Sequence, residues 1–323
     1  MTAALKILYA GPATTVQDRG RFAFIHMGVP ISGAADGFAY WVANRLVGNP
    51  SDAAVMETTL VGPRFEMHTT ADIAVTGAGT TLTVNGRRAE GWSSIRVAAG
   101  DVVDVGAAEN GCRAYVAVTG GIDVPPVMGS RSTYLGGKLG GFQGRPLADG
   151  DILPLGEGKL LEIPRRLPWR PLYSERTLLH AIPGPQDEFF QQSLPRFFEA
   201  DFTVTAQSDR MGYRLKGPAL IRDAGAPASI VSEPIVPGNV QVPADGQPII
   251  LLSEQTLGGY AKIATVLSID LFKVAQAKPG DVLSFVSTTL AEARDFCRCW
   301  AEHLAYIDSL FDADGASGSS RPS

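Results

Sequence analysis

Ile73-Ala-Val-Thr76, Thr81-Leu-Thr-Val84, Ile95-Arg-Val97, Val102-Val-Asp-Val105 and Tyr115-Val-Ala-Val118 set the fold class. Each run is short and rich in residues that suit strands, and side chains on a strand alternate between two faces. Asn85-Gly86 follows the second run and is a hairpin turn, because both residues tolerate positive φ. Short strands at a spacing of about 8–12 residues predict a barrel or sandwich rather than βαβ repeats. Gly100-Asp-Val-Val103, Gly150-Asp-Ile-Leu153 and Gly280-Asp-Val-Leu283 repeat one strand entry. The repeat fits either two related β-domains or a common Gly-Asp turn.

Working outward from this block, Phe22-Ala-Phe-Ile-His-Met-Gly-Val-Pro30 reads as a short strand fed by the polar loop Thr14–Arg21. Ser32-Gly-Ala-Ala-Asp36 then supplies a turn and an N-cap for a helix with Phe38, Val42 and Leu46 on its apolar stripe, ended by Gly48. Three prolines in Pro164–Pro171 make that segment the best linker. The expected division is therefore 1–165, an N-terminal β-rich domain; 172–288, a β-barrel domain; and 289–323, a C-terminal helix and disordered tail. In the second half, Leu178–Ile182 reads as a strand and Asp187–Ser193 as a short helix. A terminal helix is expected from Thr289 to about Ser309, with Leu290, Ala293, Phe296, Trp300 and Leu304 on its apolar side.

A chain of 323 residues exceeds one ordinary hydrophobic core, and 45% apolar residues can fill two. The net charge of -5 and the lack of a basic run exclude a nucleic-acid scaffold, which needs clustered Lys and Arg. No long apolar run marks a membrane span or signal segment, so a soluble cytoplasmic protein is expected. Three cysteines make a disulfide framework unexpected. Cys297 and Cys299 fall on nearly opposite faces of the expected helix, which disfavours a shared metal. The four histidines lack metal-ligand spacing, and no Gly-x-Ser-x-Gly occurs, so zinc hydrolases and serine triads are poor fits. His26 is read as structural.

Polar chemistry is densest between residues 205 and 262. Asp209, Arg210, Glu254 and Lys262 are the candidate catalytic groups, and Gln207, Arg214, Gln241, Gln255 and Tyr260 the candidate substrate contacts. Gln247 adds another amide, and Gly258-Gly259 allows close backbone approach. Ion pairing alone would also explain the charges, since buried ions must pair, face water or bind a ligand. These residues are expected to face one pocket at the mouth of the second barrel. Gln17 and Asp18 are added from the first domain, where Asp18 can pair with Arg19 or Arg21; Asp36 and Glu57 are given structural roles. The glycine-rich segment Gly129–Arg145 carries Arg131, Lys138 and Arg145 and could cradle an anion, although it lacks the Walker A offsets. Its alternative role is an adaptable loop where domains or chains meet.

Across about residues 8 to 288 the chain resembles the allophanate hydrolase subunit 2 family, also called the KipA or biotin-dependent carboxyltransferase-like family. The motifs are Thr14–Arg21, Gly28–Asp36, Leu46-Val-Gly-Asn-Pro50 with Glu57, Gly120-Gly121, Gly141–Arg145, Gln207–Arg214, Val242–Pro248 and Gly258-Gly-Tyr260. The resemblance implies a mainly β protein of two barrel-like domains, the second cyclophilin-like. It implies two functional branches. One is a subunit of an ATP-dependent 5-oxoprolinase that opens the 5-oxoproline lactam to glutamate. The partners would be an allophanate hydrolase subunit 1/KipI-like protein and a LamB/YcsF-like protein. The other is the carboxyltransferase part of a urea carboxylase, where biotin carries carboxylate. The chain has no Met-Lys-Met biotinylation site and no recognisable ATP-grasp region, so separate chains are expected to supply both functions. A non-catalytic regulatory module binding a KipI-like partner is the third reading.

Overall fold

The computed structural model describes residues 3–316, so most of the expected disordered tail lies outside the described residues. Strand accounts for 34% and helix for 17%, which is the mainly β class the alternation implies. The described chain forms two compact units. One comprises residues 3–21, 32–172 and 301–316, the other residues 22–31 and 173–300.

In the first unit, β1 (Ala4–Tyr9), β2 (Thr14–Gln17), β3 (Val55–Thr59), β4 (Arg64–Met67), β5 (Ala71–Val84), β6 (Arg87–Arg88), β7 (Ser94–Val97), β8 (Val102–Val118) and β9 (Ile152–Pro154) make one sheet. Its main path runs β2-β3-β8-β4-β1-β9, and β5 pairs with β6, β7 and β8. The sheet curls into a half-barrel. Val103 and Val105 bury their side chains in the same core as Val116 and Val118, because the two runs expected as separate strands are the ends of β8. Gly106 and Gly111 lie between them within the same strand. Asn85 and Gly86 have φ of 51° and 75° and join β5 to β6 as the hairpin reading requires. Helix α1 (Gly37–Leu46) packs on this sheet through Phe38, Val42 and Leu46, all buried. The Asp36 carboxylate accepts the Ala39 N–H at 2.8 Å, which satisfies one of the orphan donors of the first turn.

Two expectations need correction here. Residues 22–30 contain no strand. Ile25–Met27 form a 3-10 helix instead, closed by Gly28 in the left-handed region. The proline-rich segment is not a solvated spacer either. Arg165 N donates to Ser94 Oγ, Leu167 N donates to Trp92 O, and Leu167 is buried against the first unit.

In the second unit, β10 (Arg176–Pro183), α2 (Leu194–Glu199), β11 (Asp201–Val204), β12 (Gly212–Lys216), β13 (Glu233–Pro234), β14 (Asn239–Gln241), β15 (Ile249–Leu251), β16 (Leu257–Gly258), β17 (Lys262–Val266), α3 (Leu271–Gln276) and β18 (Val282–Ser287) follow in order. Seven of the strands close a barrel, β10-β17-β14-β15-β12-β11-β18, with β18 returning parallel to β10. The expected helix over 187–193 shortens to a 3-10 turn at Asp187–Phe190. Tyr213, Ile250, Val240 and Ala264 are cross-strand partners and are buried in the barrel core. Period-two alternation puts Arg214, Ile249 and Gln241 on the outside of the wall. A register shift brings Lys262 level with Gln241. The ribbon β13–β16 forms a separate two-stranded sheet. Ile235 beside it packs with Ile249 and Leu251 into a separate small apolar cluster. Helix α4 (Leu290–Ala316) closes the described chain and runs past Ser309, where its end was expected. It begins in a capping box: Thr289 N and Oγ1 donate to Glu292 Oε2 at 2.8 and 2.7 Å.

Candidate functional site

The polar residues expected to share one pocket lie in three places on the second unit. The first is an ion pair: Arg210 Nε lies 2.6 Å from Glu254 Oε1, with side chains only 13% and 6% exposed. Arg210 precedes β12 and Glu254 follows β15, so the antiparallel register itself brings them together. Asp209 is used locally, where its Oδ1 accepts the N–H groups of Met211 and Gly212 and shapes the turn into β12.

The second place is beside the ribbon. Lys262 is almost fully buried, and its Nζ donates to Glu233 Oε1 on β13. Gln186 donates to the same carboxylate at 3.3 Å and accepts the Lys262 N–H at 3.1 Å. The hydrogen bond from Lys262 holds Glu233 below the usual carboxylate range. Gln241 is buried here too, donating to Tyr260 O at 3.4 Å. A Cβ on Gly258 would collide with the Gln241 amide, so glycine at 258 lets the ribbon approach the wall. Gln255 donates to Leu257 O, and the Tyr260 ring is exposed.

The third place is an open hollow of about 390 Å³ on the outer face of the barrel. Gln207 and Arg214 line it, together with Thr205, Lys216, Asp245 and Gln247. The structure thus brings Gln207 and Arg214 together and leaves Arg210, Glu254, Gln241, Gln255, Tyr260 and Lys262 outside that hollow's lining. Lys216 could have been found from its i+2 spacing to Arg214 on a strand. Glu233 carries no local signal, since it meets Lys262 from 29 residues away.

Gln17 and Asp18 belong to the first unit and build a lock. The Asp18 carboxylate accepts from Gly20 N at 2.8 Å, Ser130 Oγ at 2.7 Å, Arg131 N and Ser132 Oγ. The expected pairing with Arg19 or Arg21 is thereby replaced by amides and hydroxyls. Arg21 instead is fully buried and donates to Ser132 O at 2.7 Å. Gln17 Nε2 bonds Thr15 Oγ1 and Thr133 O. Glu57 lies 3.7 Å from Arg113 Nε and accepts the Ala35 N–H. Burial, with the Glu57 and Asp36 charges adding to it, pushes the Tyr115 hydroxyl well above the usual tyrosine range.

In the glycine-rich segment two of the three expected anion-binding cations, Arg131 and Arg145, are engaged in ion pairs. Arg145 holds both oxygens of Asp151 at 2.8 Å, which pulls that carboxyl below its usual range. Arg131 reaches Asp123 Oδ1 at 3.0 Å and Val124 O at 2.8 Å. Lys138 is exposed at a left-handed position, φ 50°. Gly141 packs directly on Thr133, where any Cβ would overlap the hydroxyl, so the segment is wedged in place. Among the described residues no group of three or more His, Cys, Asp or Glu could hold a metal ion. Nor is any described helix long and apolar enough to cross a membrane.

A curled β-sheet unit and a closed seven-stranded barrel define the class of protein. Residues 27–287 match the family described as "Carboxyltransferase domain, subdomain A and B", and the chain belongs to that family. It is 41% identical over 292 residues to the C subunit of the 5-oxoprolinase of Escherichia coli, a match covering 90% of this chain and 93% of that one. It is 34% identical to the urea amidolyase of Saccharomyces cerevisiae over 90% of this chain but only 17% of that protein. The crystal structure of the K. lactis urea amidolyase superposes with a TM-score of 0.87 at 32% identity, covering 96% of this chain and 20% of that one.

Proposed function

We propose that this chain is a C-type subunit of an ATP-dependent 5-oxoprolinase, which opens the lactam of 5-oxoproline to glutamate and works only with partner subunits. The carrying observation is the two-way coverage of the match to the E. coli 5-oxoprolinase protein, 90% of one chain and 93% of the other. The match to a urea amidolyase instead leaves most of that longer protein without a counterpart. ATP is assigned to the partner subunits, with two of the three cations of the glycine-rich segment, Arg131 and Arg145, already engaged by Asp123 and Asp151. The partners in this reading are an allophanate hydrolase subunit 1/KipI-like chain and a LamB/YcsF-like chain.

The side-chain roles follow from what each group is bonded to. Arg210 with Glu254, and Lys262 with Glu233, stiffen the wall and the ribbon as ion pairs. Gln207 and Arg214 face the open hollow and would contact substrate. The test is co-expression with the two partner subunits and measurement of glutamate released from 5-oxoproline with ATP. ATP-dependent release that needs this chain supports the proposal. Its absence from an assembled complex overturns it. Urea-dependent turnover with a biotinylated partner would favour the carboxyltransferase reading that the amidolyase matches also support. Tight partner binding without turnover would favour a regulatory module.

A further inference from the structure

The tip of the glycine-rich segment is built unlike an ordinary surface turn. Tyr134 and Leu139 pair through both backbone bonds, at 2.8 and 3.0 Å, and the Lys138 N–H closes on Leu135 O at 3.1 Å, so residues 134–139 form a small hairpin. Lys138 sits in the left-handed region at φ 50°, where glycine would be free of strain. Met128 and Gln143 share the feature, so three of the eight non-glycine residues with positive φ among the described residues fall between 128 and 143. The β5–β6 turn, by contrast, uses Asn85-Gly86, the residue types that such a turn favours. Backbone strain persists where the surroundings over-determine it, and a lysine kept at a glycine-like position points to a use for its side chain.

The base of this hairpin is held from several sides. Asp18 accepts from Ser130 Oγ, Arg131 N and Ser132 Oγ. Gly140 and Gly141 pass so close to Ser132 O and to Thr133 that neither position admits a Cβ, and Gly144 does the same against Lys138 O. Gly136 and Gly137 have a different job. Their φ angles are not positive, but a Cβ on either would strike the Tyr134 ring, at 3.0 and 2.7 Å. These two glycines let the ring lie against the tip backbone. The outermost residues are then Leu135, 38% exposed, with Gly136, Gly137 and Lys138, all exposed. Arg131 and Arg145 are held by Asp123 and Asp151, whereas the Lys138 ammonium has no carboxylate within ion-pair distance among the described residues.

We infer that residues 134–139 are a docking tip for a partner subunit, with the Tyr134 ring and Leu135 entering an apolar socket on that subunit and Lys138 pairing with a carboxylate at the socket's mouth. The inference rests on the proposed function for the existence of partner subunits, and it names the surface that one of them covers. A tip fixed in advance loses little conformational freedom on docking. A tyrosine ring is a common anchor at the centre of an interface, and an ammonium without a counter-charge selects an acidic rim. A phosphate of charge about -2 fits less well, because the tip offers one unpaired cation.

The experiment places the photoreactive residue p-benzoylphenylalanine at position 135 of the full chain, or at exposed position 87 as a control, in cells that co-express both partner subunits. Irradiation and mass spectrometry should find position 135 joined to one partner subunit, with at least about tenfold less product from position 87. Leu135→Asp with Lys138→Glu should weaken association with that partner at least about tenfold and leave the chain's melting temperature unchanged. Lys138→Gly sets two effects in opposite directions: a melting temperature equal to or above the parent's, and association weaker by about threefold. Four results would each overturn the inference: no binding of either partner subunit, joining of position 135 to a second copy of this chain alone, unchanged association of the double variant, or ATP binding by the isolated chain that the double variant loses. The two proposals fail separately. A complex that docks through the tip yet releases no glutamate sinks only the proposed function. Glutamate release by a complex in which position 135 joins no partner sinks only the docking tip.

Discussion

Asp18 and Arg214 both lie in dense polar stretches, yet their surroundings are opposites. Asp18 is buried with four donors on its two oxygens, which fills the capacity of a carboxylate. Arg214 is exposed beside Lys216 in an open hollow with no ion-pair partner among the described residues. The first arrangement is complete within the chain and ties the loop at 130–132 to the end of β2. The second is incomplete and can be completed from outside. Polar density in a sequence marks both, and only the state of satisfaction separates a lock from a binding surface.

That contrast can be broken by substitution. Asp18→Ala should destabilise the first unit by about 4 kcal/mol in chemical denaturation, because it leaves two buried hydroxyls and two amides without their acceptor. A loss below about 1 kcal/mol would show that the cage is dispensable. Glu233→Gln comes next, at about 2 kcal/mol, since it removes the counter-charge of an almost fully buried ammonium. Its pH dependence has a definite sign. The Lys262 hydrogen bond lowers the Glu233 pKa from 4.5, so its stabilisation is complete above that unfolded value and is lost as pH falls through the lower folded value. Glu233→Gln should therefore lose that part of the acid sensitivity below about pH 4.5, while an unchanged acid transition would remove Glu233 from the account. Arg214→Gln is the smallest effect, within about 0.5 kcal/mol of the parent, as for an exposed side chain without partners. A larger loss would mean that Arg214 belongs to the scaffold.

Local signals carried much of this architecture. The Asp36 cap, the Phe38–Val42–Leu46 stripe and the Asn85-Gly86 turn each depend on neighbours within a few residues, and each was legible. Residues 22–30 misled because Phe22, Phe24 and Ile25 look strand-like while Gly28, at φ 76°, closes a 3-10 turn. Long-range partners were out of reach. Nothing near Lys262 announces Glu233, and nothing near Asp18 announces Ser130 and Ser132, more than a hundred residues away. The family was readable from its motifs, whereas the division of the polar stretch into an ion pair, a ribbon contact and a hollow depends on barrel register. The unpartnered Thr205 hydroxyl had no sequence signature at all.

The most direct test of the contrast is the KM for 5-oxoproline of the reconstituted complex carrying Arg214→Gln with Lys216→Gln in this chain. A rise of about tenfold with the chain's melting curve unchanged is the expected result, since the cations would contact the substrate carboxylate and not the fold. An unchanged KM, or a rise that merely tracks lost stability, would contradict the assignment of the hollow as the binding surface.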